Sequence, residues 1–199
     1  MIGLVLGGAA GLYLDMEALA AIAPYVPWGP EVPAPGFECA VLDANDAIAA
    51  YAGPLGHAIS LHPWKLQGWL KARASQWPFF DRPLRWTHSE GEEGADRKLE
   101  IRRKRSGSSG LFAVQVAQHL GCERIVLCGV PMDGGPHFRG PPAEWEAWRR
   151  DFAGYREAWR DWSEHGELEN VRSMSGWTRE LCGAPDRAWL EGAIVCRST

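Results

Sequence analysis

The chain has 199 residues, 46% of them apolar and 23% charged, with 21 basic against 25 acidic side chains and a formal charge of −4. That describes a folded domain with an ordinary core, residues 1–199 taken together, rather than a disordered chain or a globally basic nucleic-acid binder. No apolar run approaches the ~20 residues that cross a bilayer, and the glycine-broken start MIGLVLGGAAGLYLD lacks a basic region, so neither a membrane segment nor a signal peptide is expected.

The apolar run from Gly3 to Leu6 ends in Gly7-Gly8-Ala9-Ala10-Gly11, and Leu12, Met16, Leu19, Ala20 and Ala23 then recur at helical steps until Pro24. Strand, glycine turn and helix open an α/β unit. Pro24 to Pro35 reads as a surface connection. Cys39 to Leu42 is the second strand, followed by the polar turn Asp43-Ala44-Asn45-Asp46 and a short helix to Tyr51. His57 to Leu61 predicts a third strand and Trp64 to Ala74 a third helix. Leu84 to Thr87 and Leu99 to Arg102 are strand candidates around the acidic turn Glu90 to Asp96. Ser106 to Gly110 precedes a strong helix with Leu111, Val114, Ala117 and Leu120 on one face, closed by Gly121.

Arg124 to Cys128 has no wet face, as expected of a central parallel strand. A glycine- and proline-rich loop runs from Gly129 to Pro142, then a long helix from about Ala143 to His165, then a strand near Glu169 to Met174. From about residue 184 the chain reads as a tail. The fold class predicted is α/β, a single doubly wound and mainly parallel Rossmann-like sheet with helices on both faces. Cys39, Cys122, Cys128, Cys182 and Cys196 include no CxxC pair, so reduced thiols and a cytoplasmic setting are expected.

Four features carry chemistry. The glycine turn Gly7 to Gly11 would let backbone approach a phosphate at a helix start. It is not GxGxxG, and Asp43 lies too far along for the ~20-residue spacing of a dinucleotide site. Ser106 to Gly110 forms either an anion-binding helix start or a plain N-cap. Arg97, Lys98, Arg102, Arg103, Lys104 and Arg105 just upstream would draw a phosphorylated ligand there, or form a solvated charged strand. His137, in the loop leaving the strongest strand, stands where ligands sit in open α/β sheets and suits a general base; a lone surface histidine is the plainer reading. Trp145, Trp148, Phe152, Tyr155, Trp159 and Trp162 form one helical stripe, read as core packing or a subunit interface rather than a stacking platform.

Val5-Leu6-Gly7-Gly8, then Leu42-Asp43-Ala44-Asn45-Asp46, Ser108-Ser109-Gly110-Leu111-Phe112-Ala113, His119-Leu120-Gly121 and Ile125 to Met132 occur in an order that resembles a group of Rossmann-like transferases. That group includes bacterial α-2,3-sialyltransferases and archaeal 6-hydroxymethylpterin pyrophosphokinases. The chain looks closest to small phage and prophage proteins of the group, to which Val171 to Gly176 is also similar. The resemblance implies Gly7, Gly8, Ser108, Ser109 and Gly110 at a nucleotide, Asn45 at the donor, and His137 as base. Gly7 and Ala10 replace the group's first-turn asparagine and serine, and Pro131 replaces an aspartate. The phosphate-contacting tyrosines have no counterpart, and Arg139 is the nearest substitute. Nucleotide-dependent transfer is therefore the expectation, rather than sialic-acid transfer itself.

A glycosyltransferase needs a base for the acceptor hydroxyl and fixed dipoles or cations for the departing phosphate. His137 would supply the first, and Arg139 with the Ser108 helix start the second. Such an enzyme is expected to be metal-independent and to need nothing beyond a nucleotide or nucleotide-sugar donor. A pyrophosphokinase acting on a pterin-like alcohol would instead hold Mg²⁺ on Asp43, Asp46 and Asp133. A third alternative is a phage accessory or virion-associated protein that keeps the fold without catalysis. The Trp145–Trp162 helix would then contact a phage protein or a second copy of the chain. The expected setting is the cytoplasm, that of a bacterial host if phage-encoded, with no membrane or nucleic-acid partner.

Overall fold

The computed structural model describes residues 1–24, 39–88, 95–102, 108–135 and 142–195, with backbone alone at 142–151 and 193–195. Seven parallel strands run in the order β5-β4-β3-β2-β1-β6-β7: β1 Ile2–Leu6, β2 Cys39–Ala44, β3 His57–Ile59, β4 Leu84–Thr87, β5 Arg97–Lys98, β6 Arg124–Cys128 and β7 Val171–Ser173. The helices are α1 Leu12–Ile22, α2 Ala47–Ala50, α3 Pro63–Gln76, α4 Ser109–His119, α5 Pro142–Glu164, α6 Gly176–Cys182 and α7 Arg187–Val195. The order turns back at β1, which pairs with β2 on one side and β6 on the other. This is a doubly wound, Rossmann-like α/β architecture, as the sequence pattern predicts.

The parallel strands are covered on both faces, so they read as continuous apolar runs, and alternation divides their side chains between two cores. Val5, Leu42, Ile125 and Leu127 join Phe112, Val116, Trp159 and Trp162 of α4 and α5. Leu4, Leu6, Val41, Val126 and Cys128 join Leu12, Met16 and Leu19 of α1, Ile48 of α2, Leu66 of α3 and Leu190 of α7. Trp159 is 0% exposed and Trp162 1%, with Phe152 and Tyr155 packed against the same core. That part of the aromatic stripe faces the sheet; the side chains of Trp145 and Trp148 lie outside the described residues.

Several boundaries differ from the sequence reading. Asp43 and Ala44 continue β2 instead of opening a turn, and of residues 99–102, which follow β5, Leu99 still donates its N–H to the Thr87 carbonyl of β4 (3.0 Å). β5 lies parallel to β4, Trp86 opposite Arg97, so the two do not form a hairpin. The stretch expected to be a tail folds into α7, whose Leu190 is fully buried. The predicted surface connection Pro24 to Pro35 falls, apart from Pro24, outside the described residues. No helix among the described residues is long and apolar enough to cross a membrane.

Candidate functional site

In open α/β sheets ligands collect beyond the carboxyl ends of the strands, where the strand order reverses. Here that point lies between β1 and β6, which are joined by backbone contacts at their carboxyl ends. Gly7 donates its N–H to the Cys128 carbonyl (2.9 Å), and Ala9 donates to Gly129 (3.1 Å). A Cβ on Gly7 would lie 2.6 Å from a Val130 methyl and against the Gly129 carbonyl, so only glycine fits. The smallness of Gly7 therefore serves strand-to-strand contact, and its amide is committed to β6. Gly8 is half-buried in the same turn.

The β6 exit is held from below as well. Asp15 of α1, 7% exposed, accepts the Gly129 N–H (2.8 Å) and the Ser175 hydroxyl (2.6 Å). Burial raises the Asp15 carboxyl above its ordinary range, opposed by those two hydrogen bonds and by Arg179. Thr178 donates its hydroxyl to the Val130 carbonyl (2.6 Å), and Arg156 donates to the Met132 carbonyl (2.6 Å) while lying over Trp177. The Val171–Gly176 stretch singled out in the sequence is thus structural, with Ser175 bracing the β6 turn through Asp15.

The polar side chains gather instead beyond β2, β3 and β4. Asn45, just past β2, adopts φ 58°, a left-handed conformation that asparagine tolerates better than most residues. Its Oδ1 accepts the Ser60 hydroxyl (2.8 Å), and Ser60 Oγ in turn accepts the His62 backbone N–H (2.8 Å). The neighbouring Leu61 N–H donates to Ser109 Oγ at the start of α4 (3.2 Å). Ser108 is the N-cap of α4: its Oγ accepts the Leu111 N–H (3.2 Å) and the Trp159 indole N–H (3.2 Å). Gly110 packs close to Val130, where a Cβ would come within 2.9 Å of a methyl. Asn45, Ser108, Ser109 and Gly110, distant in sequence, share this one edge.

The remaining expectations divide. Asp43 is 0% exposed and faces the α1–α3 core, with neither carboxylate oxygen hydrogen-bonded. Burial pushes its pKa up to about 8, partly offset by the Arg73 guanidinium, which donates to the Tyr51 (2.6 Å) and Gly53 (2.5 Å) carbonyls. Asp46 is 8% exposed beside α2, while Asp133 is exposed and accepts the Gly135 N–H at 2.8 Å. Among the described residues no group of three or more His, Cys, Asp or Glu side chains is arranged to hold a metal ion. His137 and Arg139 lie outside the described residues, as do Arg103, Lys104, Arg105 and Ser106.

Of the described cations, Arg97 and Lys98 are exposed on the edge strand β5. Arg102 pairs with Glu167 (3.0 Å) and donates to Gln118 (3.1 Å), which puts it near the C-terminal end of α4. The expected cluster at the α4 start therefore does not include Arg102. Cys39, Cys122, Cys128 and Cys182 are free thiols.

Two histidines at this edge were not singled out by sequence. His62 is the exposed N-cap of α3 and packs edge-on against Trp64, with ring centroids 5.2 Å apart. His88, directly after β4, lies edge-on to Phe112 of α4 at 6.3 Å, and its Nδ1 is buried without a hydrogen-bond partner. Partial burial lowers the His62 pKa below its ordinary 6.5, with smaller contributions from Lys65 and His88. The available signal was positional: each follows a predicted strand end. Compared with known families, curated proteins and solved structures, the chain matches none.

Proposed function

We propose that the chain is a nucleotide-dependent transferase, with a nucleotide-sugar as the preferred donor and a glycosyl group as its cargo. One observation carries this reading: a hydrogen-bonded path joins Asn45, Ser60 and residues 61–62 to Ser109 at the start of α4. It brings an amide, two hydroxyls and a helix N-terminus to one edge of a doubly wound sheet. A helix N-terminus favours anionic oxygen, which a departing nucleotide phosphate carries. Ser60 and Ser109 are buried and fix the geometry of this edge, and the half-buried Asn45 amide suits the ribose or the donor sugar. His137 and Arg139 belong to this proposal as base and phosphate partner, on the transferase resemblance of the ordered motifs.

A thermal-shift panel of CMP, CDP, UDP, GDP, ADP and ATP, each with Mg²⁺ and with EDTA, tests the reading. A nucleotide at 100 times its Kd adds ~2.7 kcal/mol, or roughly 5–10 °C in Tm for a domain of this size. The expected result is a shift by CMP, CDP or UDP that survives EDTA. A shift by ATP with Mg²⁺ alone replaces sugar transfer with diphosphate transfer, and silence across the panel overturns the transferase reading.

A further inference from the structure

Trp64 is 67% exposed in the first turn of α3, beside an edge rich in hydrogen-bonding groups. Its ring meets His62 edge-on, and the His62 backbone is held by Ser60, within the path that reaches Asn45 and α4. β3 and β4 are parallel neighbours with Ile59 opposite Trp86, so His62 and His88 both follow the carboxyl ends of adjacent strands. An exposed indole beside an exposed imidazole offers a flat apolar surface and a proton acceptor a few ångströms apart, which a ring carrying a hydroxyl can use together.

We propose that His62, Trp64 and His88 form the acceptor half of this site and take a pyranoside, which stacks on Trp64 and presents a hydroxyl to His62. This assignment rests on the transferase reading, extends it from the donor to the second substrate, and gives His62 the base role that the resemblance alone assigns to His137. In the transfer, a ring nitrogen of His62 takes the acceptor O–H proton while the acceptor oxygen bonds to the donor's anomeric carbon. The bond from that carbon to the nucleotide's phosphate oxygen breaks, and its electron pair leaves with the nucleotide toward the start of α4. The proton on His62 then passes to water. His88, directly after β4 and against Phe112, bounds the subsite toward β4. A neutral imidazole is required before each turnover. Lys65 of α3 and His88 beyond β4, the charged or titratable groups whose influence on His62 is resolved, both favour that form.

The positions suit substitution, because the His62 side chain makes no capping hydrogen bond and Trp64 is mostly in water. The assay uses UDP-galactose, UDP-glucose and a CMP-sialic acid as donors with lactose as acceptor, alongside saturation-transfer NMR of lactose. His62→Gln should lower kcat at least 100-fold with the lactose KM and the nucleotide thermal shift unchanged, in line with the loss of a general base. The acid limb of kcat/KM, expected below pH 6.5 in the wild type, should disappear with it. Trp64→Ala should raise the lactose KM about tenfold and abolish saturation transfer, leaving kcat and the nucleotide shift in place.

Wild-type rates in both variants, or loss of turnover in His137→Ala with none in His62→Gln, overturn the assignment while nucleotide binding stands. Loss of the nucleotide shift in Trp64→Ala also overturns it, by making the indole part of the donor site. If the wild type binds no nucleotide, the transferase reading fails. Lactose binding that depends on Trp64 would then keep the subsite, and its absence would remove that too.

Discussion

The carboxyl edge of the sheet has two contrasting regions. Between β1 and β6, where the strand order reverses, glycine backbone meets glycine backbone, and Asp15, Ser175 and Thr178 lock the β6 exit. Beyond β2, β3 and β4, side chains of Asn45, Ser60 and Ser109 are joined through the Leu61 and His62 backbone, with His88 against Phe112 of α4. The first region is held close at Gly7 and Gly129, and the second groups polar side chains of three elements. A reversal point places a crevice in the topology, but the residues there decide whether it stays open. In this chain backbone packs closely at Gly7 and Gly129, and the side-chain hydrogen bonds of Asn45, Ser60 and Ser109 lie beyond β2 and β3.

The largest expected effect breaks the comparison from beneath the side-chain region. Asp43 has an ordinary carboxyl pKa of 3.8 when unfolded and about 8 when folded, because burial disfavours its charge. Between those values the folded chain holds a proton that the unfolded chain has lost. This contribution to stability is complete below 3.8 and falls as pH rises through the folded pKa. From pH 5 to pH 8 the loss is on the order of 4 kcal/mol at the limiting slope. Urea midpoints measured across that range should fall steadily in the wild type and much less in Asp43→Asn. Equal slopes in the two proteins would mean that the carboxyl finds a charge partner on folding.

The β1–β6 region comes next. Gly7→Ala pushes a methyl against the Gly129 carbonyl and the Val130 side chain, neither of which can retreat without parting β1 from β6. The expected loss is about 3 kcal/mol by denaturant titration, at the upper end for overpacking. A near-neutral Gly7→Ala would show that the β6 exit can move.

The smallest effect sharpens the side-chain region. Ser60→Ala removes the donor to Asn45 and the acceptor for the His62 N–H, so stability should drop by about 1–2 kcal/mol. The nucleotide thermal shift should shrink at the same time, because Asn45 and Leu61 lose their fixed relation to Ser109. A stability loss without any change in nucleotide binding would confine Ser60 to a structural role.

Much of the fold was legible in residue order. The apolar runs of β1, β2 and β6 announced buried parallel strands, and Arg124–Cys128 was bounded to the residue. The helical spacing of α4 and α5 was equally plain, while Ser106 to Gly110 left open which serine caps α4, a place Ser108 takes. The short edge strand β5 was not legible, because Arg97 and Lys98 have strand conformation only through pairing with β4. α7 was missed for a related reason: its fully buried anchor, Leu190, docks on a core made by other elements. Of the candidate site, the grouping of Asn45 with Ser108–Gly110 was expected, whereas the bonds through Ser60 and Leu61 were not. His62 and His88 are 26 positions apart in the chain, and no local pattern marks them as neighbours.

By itself the sequence determined what local physics can settle: alternation of strand and helix, the depth of the strands, the cap of α4 and the helical stripe of α5. These depend on hydrophobic period and on side chain-to-backbone bonds a few residues apart. Only the tertiary structure decided which face each side chain of a strand meets, because a strand buried on both sides shows no polar face to orient it. Asp43 is the clearest case: by sequence it opens a polar turn and is a candidate Mg²⁺ ligand, yet β2 runs on through Ala44 and Asp43 is 0% exposed. The same long-range pairing closed Gly7 against Gly129 and carried His62, Trp64 and His88 to the edge where Asn45 and Ser109 meet.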